Sequence, residues 1–209
     1  MRRLALLLVL LSLSSASYLL ADAIPYPTPG VVAPQSLLIA SATGDVTGYF
    51  VMGGPLSGGG AAYLDFVRLF DVTAGTFSGW LFDNQTSTAG LTADFGHVTA
   101  GDTLIFEIQV VNLGNTIFAS DSAYSADGSN HGYATGFQRG LLNGAEIPAG
   151  LYIGMEDLPA LYSDFNYRDD TFVVTGVAPV PEPGSVVLIG TGALLAAASI
   201  RRRLFKQSS

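Results

Sequence analysis

Apolar and polar side chains alternate with a period of two through much of the chain. In Thr103-Leu104-Ile105-Phe106-Glu107-Ile108-Gln109-Val110-Val111-Asn112, the residues Leu104, Phe106, Ile108 and Val110 share one face, with Glu107 and Gln109 on the other. That is the pattern of a half-buried β-strand. Runs rich in Val, Ile, Thr, Phe and Tyr predict strands over 36–40, 46–52, 62–72, 79–83, 91–98, 103–112, 116–119, 133–137, 150–155 and 171–177, separated by Gly and Asp/Asn/Ser clusters. No window has a 3.6-residue period with caps, and residues 143–147 hold at most one helical turn. Short strands at this spacing predict an all-β domain over 36–178, a two-sheet antiparallel β-sandwich of jelly-roll-like form. Gly53-Gly54 and Gly58-Gly59-Gly60 predict a flexible loop and no phosphate cradle, since no Lys-Ser/Thr follows them. Pro25, Pro27, Pro29 and Pro34 mark residues 24–35 as a proline-rich linker.

The alternation fails at both ends, where apolar residues run continuously. Arg2-Arg3, an apolar stretch over 4–13 and Ala21-Asp22-Ala23 predict a secretory signal peptide over 1–23. Residues 179–209 hold Pro181-Glu182-Pro183, a short apolar helix expected over about 184–200, and Arg201-Arg202-Arg203 opening a basic tail over 201–209. A helix of that length spans roughly 25 Å, the lower limit for a bilayer core of ~30 Å. Arginines flank both apolar runs, and the positive-inside tendency sets both groups on the cytoplasmic side, so the residues between them lie across the membrane. The arrangement resembles the PEP-CTERM tail of Gram-negative bacteria, also known as an ice-binding-protein C-terminal motif. That resemblance implies recognition of Pro181, Glu182 and Pro183 by the membrane protease exosortase, with Arg201, Arg202 and Arg203 as the stop. It also implies passage through the secretion machinery and inner membrane to the cell surface or beyond. It implies no activity, and the flat Thr-rich ladders that ice binding requires do not recur in the chain.

Between the end segments, three cations (Arg68, Arg139, Arg168) stand against fifteen carboxylates, a formal charge of −12. Nucleic acid and anionic lipid are poor partners for such a surface. The chain has no cysteine, which excludes disulfides, thiolate metal sites and cysteine nucleophiles. Its stability must come from the core or from bound ions.

The acidic residues concentrate in Gly154-Met155-Glu156-Asp157-Leu158 and the following Asp164-Phe165-Asn166-Tyr167-Arg168-Asp169-Asp170. Glu156, Asp157, Asp164, Asn166, Asp169 and Asp170 are oxygen donors suited to Ca²⁺, and like charges this dense require a cation, an arginine or backbone amides. The segment resembles an uncharacterised bacterial surface domain found upstream of PEP-CTERM tails, with a signature of Gly-Phe-Glu-Asp-Leu, a glycine-rich spacer and Asp-x-Asp-Tyr-Asn-Asp. The likeness covers about 100–177, including Ala126-Asp127-Gly128 and His131. The chain departs from that pattern at Met155, Asn166, Arg168 and Asp170. Two readings of the segment stand: a calcium site, and an acidic edge neutralised by hydrogen bonds and arginine pairing.

Catalytic arrangements are sparse. His97 and His131, the only histidines, lack His-x-x-x-His spacing, and no Gly-x-Ser-x-Gly elbow occurs. As neighbours on a strand, Glu156 and Asp157 are expected to point to opposite faces, which removes them as a glycosidase pair. Trp80, Tyr63 and Phe82 are candidates for stacking on a sugar. Three function classes emerge: a non-enzymatic surface or matrix protein, a Ca²⁺-dependent polysaccharide-binding or adhesion module, and an exported hydrolase. The first predicts no cleft with convergent carboxylates, and the last requires one.

Overall fold

The computed structural model describes residues 24–180. The expected signal peptide, the Pro181-Glu182-Pro183 motif, the apolar helix and the basic tail lie outside the described residues. The chain divides into two compact units, 1–178 and 179–209. All strand residues but the last, Pro179, belong to the first unit. Among the described residues there is no α-helix, and no helix is long and apolar enough to cross a membrane.

Thirteen strands occur among the described residues: β1 (Leu38–Ala40), β2 (Gly44–Met52), β3 (Asp65–Asp71), β4 (Thr76–Phe77), β5 (Thr92–Val98), β6 (Thr103–Val110), β7 (Thr116–Ala119), β8 (Gly132–Phe137), β9 (Gly140–Leu142), β10 (Ala145–Ile147), β11 (Gly150–Met155), β12 (Asp170–Val174) and β13 (Val177–Pro179). The first sheet has the order β13-β1-β6-β3-β4, with β7 also pairing with β6. The second runs β5-β2-β12-β11-β8, and β9 and β10 form a separate hairpin. The pairs β1–β6, β3–β6, β6–β7, β2–β12, β11–β12 and β8–β11 are all antiparallel.

Side chains from both sheets meet in one apolar core. Leu104, Phe106, Ile108 and Val110 on β6, the face expected from alternation, join Val67 and Leu69 of β3 against Phe50, Ile153, Phe172 and Val174 of the second sheet. The rings of Phe106 and Phe172 meet at 5.3 Å between centroids. Burial of each such side chain stabilises the fold by about 1.5–3 kcal/mol.

Several local expectations are corrected. Glu107, expected on a solvent face, is buried because Arg68 of β3 covers it, donating from Nε to Oε2 at 2.6 Å. Residues 79–83 form no strand; Leu81 makes a single bridge to Val67, and Phe82 takes a left-handed φ of 52° that turns its ring into the core. The predicted strand over 171–177 divides at Gly176, whose φ is +83°. The helical turn expected over 143–147 is instead the tip of the β9–β10 hairpin, with Asn143 and Gly144 both at positive φ. Asn-Gly is the favoured pair for such a two-residue turn.

The proline-rich stretch contains no strand but packs against the body. Tyr26 meets Tyr152 edge-on at 5.9 Å and shares a hydroxyl hydrogen bond with it. The Ala33 amide donates to the Tyr167 hydroxyl at 2.7 Å.

Candidate metal centre

The alternation that puts Val67 and Leu69 of β3 into the core also buries Asp65, two residues earlier on the same face. On β12, the face that carries Phe172 and Val174 begins with Asp170. Aspartates from both sheets therefore point into one end of the inter-sheet space, and both are fully buried. At that end β11 stops at Met155; the chain leaves the sheet through Glu156 and Asp157 and returns at Asp169.

One oxygen from each of Glu156, Asp157 and Asp169 lies within 4.8 Å of the others. Asp65 is within hydrogen-bonding reach of Asp157, Asp157 of Asp169, and Asp169 of Glu156. Four carboxyl groups thus form a continuous row that starts on the first sheet and ends on the second. Protein donors satisfy only part of it. Asn84 donates from Nδ2 to Asp65 Oδ2 at 2.8 Å, the Tyr167 amide to Glu156 Oε2 at 3.1 Å, and the Asp157 amide to Asp169 Oδ2 at 3.1 Å. Asp65 Oδ1 and both Asp170 carboxylate oxygens have no donor.

The electrostatics are a consequence of this crowding. Burial is the largest cause, pushing Asp65 up to about 7, Glu156 to about 8 and Asp157 to about 9, and the neighbouring Asp169 charge adds to each. Asp169 is raised, and enclosure lifts Asp170 well above the usual carboxylate range. Two full charges about 4 Å apart repel by ~4 kcal/mol at an effective dielectric near 20. Several such contacts rival a whole domain's stability of about 5–15 kcal/mol, so the row must hold protons or a cation.

Arginine does not supply the balancing charge. Arg68 pairs with Glu107 and Arg139 with Glu146, while the Arg168 guanidinium stacks over Tyr26 at 4.8 Å. Among the described residues no cationic side chain pairs with the row, so the arginine-paired edge expected from sequence is not formed.

The loop that carries the site is held in an unusual conformation. Phe165 and Tyr167 have φ of 47° and 57°, a region costly for side chains of this size. They are held there by packing with Ala33 and Tyr133. Gly154 admits the loop: a Cβ at that position would lie 2.3 Å from the Tyr167 carbonyl oxygen. His131, stacked on Phe118 at 4.2 Å, donates from Nδ1 to the Glu156 carbonyl at 3.1 Å and accepts the Glu156 amide on its own carbonyl.

Of the six donors expected from sequence, Glu156, Asp157 and Asp169 converge, and Asp170 lies behind them. Asp164 and Asn166 line the same cleft but bond to each other, Asn166 Nδ2 donating to Asp164 Oδ2 at 2.8 Å. Asp65 and Asn84 are additions from the tertiary structure. The signal for Asp65 is its parity with Val67 and Leu69 on an otherwise apolar strand face.

Two expectations about catalysis are corrected here. Glu156 and Asp157 do not diverge, because they lie past the end of β11 where alternation no longer applies. A cleft with convergent carboxylates, which the non-enzymatic reading predicts against, is present, walled by Gly58–60 and Tyr63 beside the acidic residues. Neither histidine joins a metal-ligating group among the described residues: His97 pairs with Asp45 and His131 with Asp127. Phe82 lies in the core, Tyr63 at the cleft, and Trp80 stacks against Arg68 at 4.3 Å.

No curated protein and no solved structure matches this chain. Comparison with protein families identifies the PEP-CTERM protein-sorting motif at residues 179–203.

Proposed function

We propose that this is an exported, non-enzymatic protein of the cell surface or extracellular matrix, whose body is a β-sandwich and whose C-terminal segment is an exosortase signal. The sorting motif at residues 179–203 carries the export and sorting part of this reading. Exosortase acts at Pro181-Glu182-Pro183, and the apolar run that follows, with Arg201, Arg202 and Arg203, is then discarded or kept as an anchor.

The acidic cleft is the feature that an exported hydrolase would require, and we assign it instead to ion binding, because one oxygen from each of Glu156, Asp157 and Asp169 lies within 4.8 Å of the others. Polysaccharide binding is the second reading. It is favoured by the aromatic row on the outer face of the first sheet, where Phe70 stacks on Phe77 at 4.2 Å and Arg68 lies over both Phe77 and Trp80.

Mass spectrometry of the released and surface fractions tests the sorting reading. Mature chains ending near residue 183 are expected, and mature chains that all retain Arg201 to Arg203 and a membrane location would contradict processing. Binding of the surface polysaccharide, lost in Trp80→Ala, would select the second reading for the body.

A further inference from the structure

We propose that the carboxylate row binds one Ca²⁺ ion that joins the two sheets, with Glu156, Asp157 and Asp169 as ligands from the loop between β11 and β12 of the second sheet and Asp65 Oδ1 completing the set from β3 of the first. This goes beyond the sorting reading and does not depend on it.

Two independent observations meet here. Oxygens of three acidic residues already lie within 4.8 Å of one another, a spacing compatible with a shared ion whose bonds to oxygen are about 2.3–2.6 Å long. Separately, Asp65 is fully buried within hydrogen-bonding reach of Asp157, and its Oδ1 has no donor. A buried, unpartnered carboxylate oxygen costs several kcal/mol unless a proton or a cation meets it. Asp170, also enclosed and without a donor on either oxygen, lies at the same end of the fold.

The chemistry selects the ion. All donors are hard carboxylate oxygens, with no thiol and no imidazole in the group, which disfavours zinc and copper. The ligands come from one strand and one irregular loop, which suits the variable 6–8-fold coordination of Ca²⁺ better than the strict octahedron of Mg²⁺. Asn84 serves the site without being a ligand. Its Nδ2 donates to Asp65 Oδ2 and its Oδ1 accepts the Asp65 amide, which leaves Asp65 Oδ1 for the ion. The glycines opposite, Gly53 to Gly60, bring backbone close to this end of the fold: a Cβ on Gly53 would lie 2.8 Å from Asn84 Cβ.

The test uses the full chain, purified in detergent and stripped with EDTA. Calorimetric titration with Ca²⁺ is expected to give one site, and saturating Ca²⁺ at about 100 times its Kd is expected to raise Tm by roughly 5–10 °C over EDTA. Sodium chloride at matched ionic strength should not reproduce the rise. Asp65→Asn should weaken Ca²⁺ binding at least ~10-fold, and Asp169→Asn should do the same, whereas Glu146→Gln, an exposed carboxylate on the β9–β10 hairpin that pairs with Arg139, should leave affinity unchanged. Absence of titration heat together with equal Tm in Ca²⁺ and EDTA would overturn the site. An unchanged affinity in Asp65→Asn would overturn the cross-sheet ligand set, and if that variant fails to fold, Asn84→Ala, which frees the Asp65 side chain, must lower the affinity instead.

Discussion

Asp65 on β3 and Asp157 beyond β11 stand within hydrogen-bonding reach of each other across the space between the sheets. When both are ionised neither can donate, so the contact is attractive only with a proton or a cation between them.

Stability in EDTA should therefore fall as pH rises. The folded-state pKa values of Asp65, Glu156 and Asp157 are raised to about 7, 8 and 9, above ordinary unfolded values of about 4. Groups raised in the folded state bind more protons there. Their contribution is complete below about pH 4 and is lost as pH climbs through 7 to 9. His131, whose pKa is lowered by burial, acts in the opposite sense below about pH 6.5. Urea midpoints measured from about pH 6.5 to 9 are expected to decline, and a flat or rising profile would count against the row as described.

Gly154→Ala should destabilise the body. The added Cβ would sit 2.3 Å from the Tyr167 carbonyl oxygen, a backbone atom that cannot swing aside. Overpacking of this kind costs about 1–3 kcal/mol. Denaturant unfolding measures the loss, and a variant as stable as the parent would show that the 158–168 loop is less firmly seated than its packing indicates.

Arg68→Ala should cost up to about 3 kcal/mol, since it leaves the carboxylate of Glu107 buried without a cation. The double change Arg68→Ala with Glu107→Gln should recover part of that loss. A double-mutant cycle reads the coupling. Additive single effects would mean that the pair is merely exposed surface charge.

Glu182→Ala and removal of Arg201 to Arg203 should each leave unprocessed chain in the membrane fraction, or misdirect it. Fractionation followed by immunoblotting against the body checks this outcome. Wild-type processing in both variants would contradict the sorting reading.

The strands on either side of the core are legible in the sequence because each sheet has a buried face and alternation records it. Leu104, Phe106, Ile108 and Val110 share a face by parity alone, and the fold buries that face. Residues 79–83 have the composition of a strand and are not one, because Phe82 satisfies its apolar character by turning into the core from a left-handed backbone. The Asn143-Gly144 turn carries its own signal, but strands of three residues on each side are too short for their period to register. For the site, the 156–170 segment stands out by its density of acid, yet Asp65 sits far upstream, inside the predicted strand over 62–72, with nothing local to link it to that segment.

Residue type, local period and contiguous pattern are enough to establish the all-β character, the acidic body, the absence of thiol chemistry and the sorting motif. None of these needs knowledge of distant neighbours. That Asp65 meets Asp157, that Arg168 turns to Tyr26, and that Glu156 and Asp157 converge are matters of assembly. They depend on which strand ends are brought together when two sheets bury a common core, and on where a strand stops, since past its last residue alternation no longer controls the direction of a side chain.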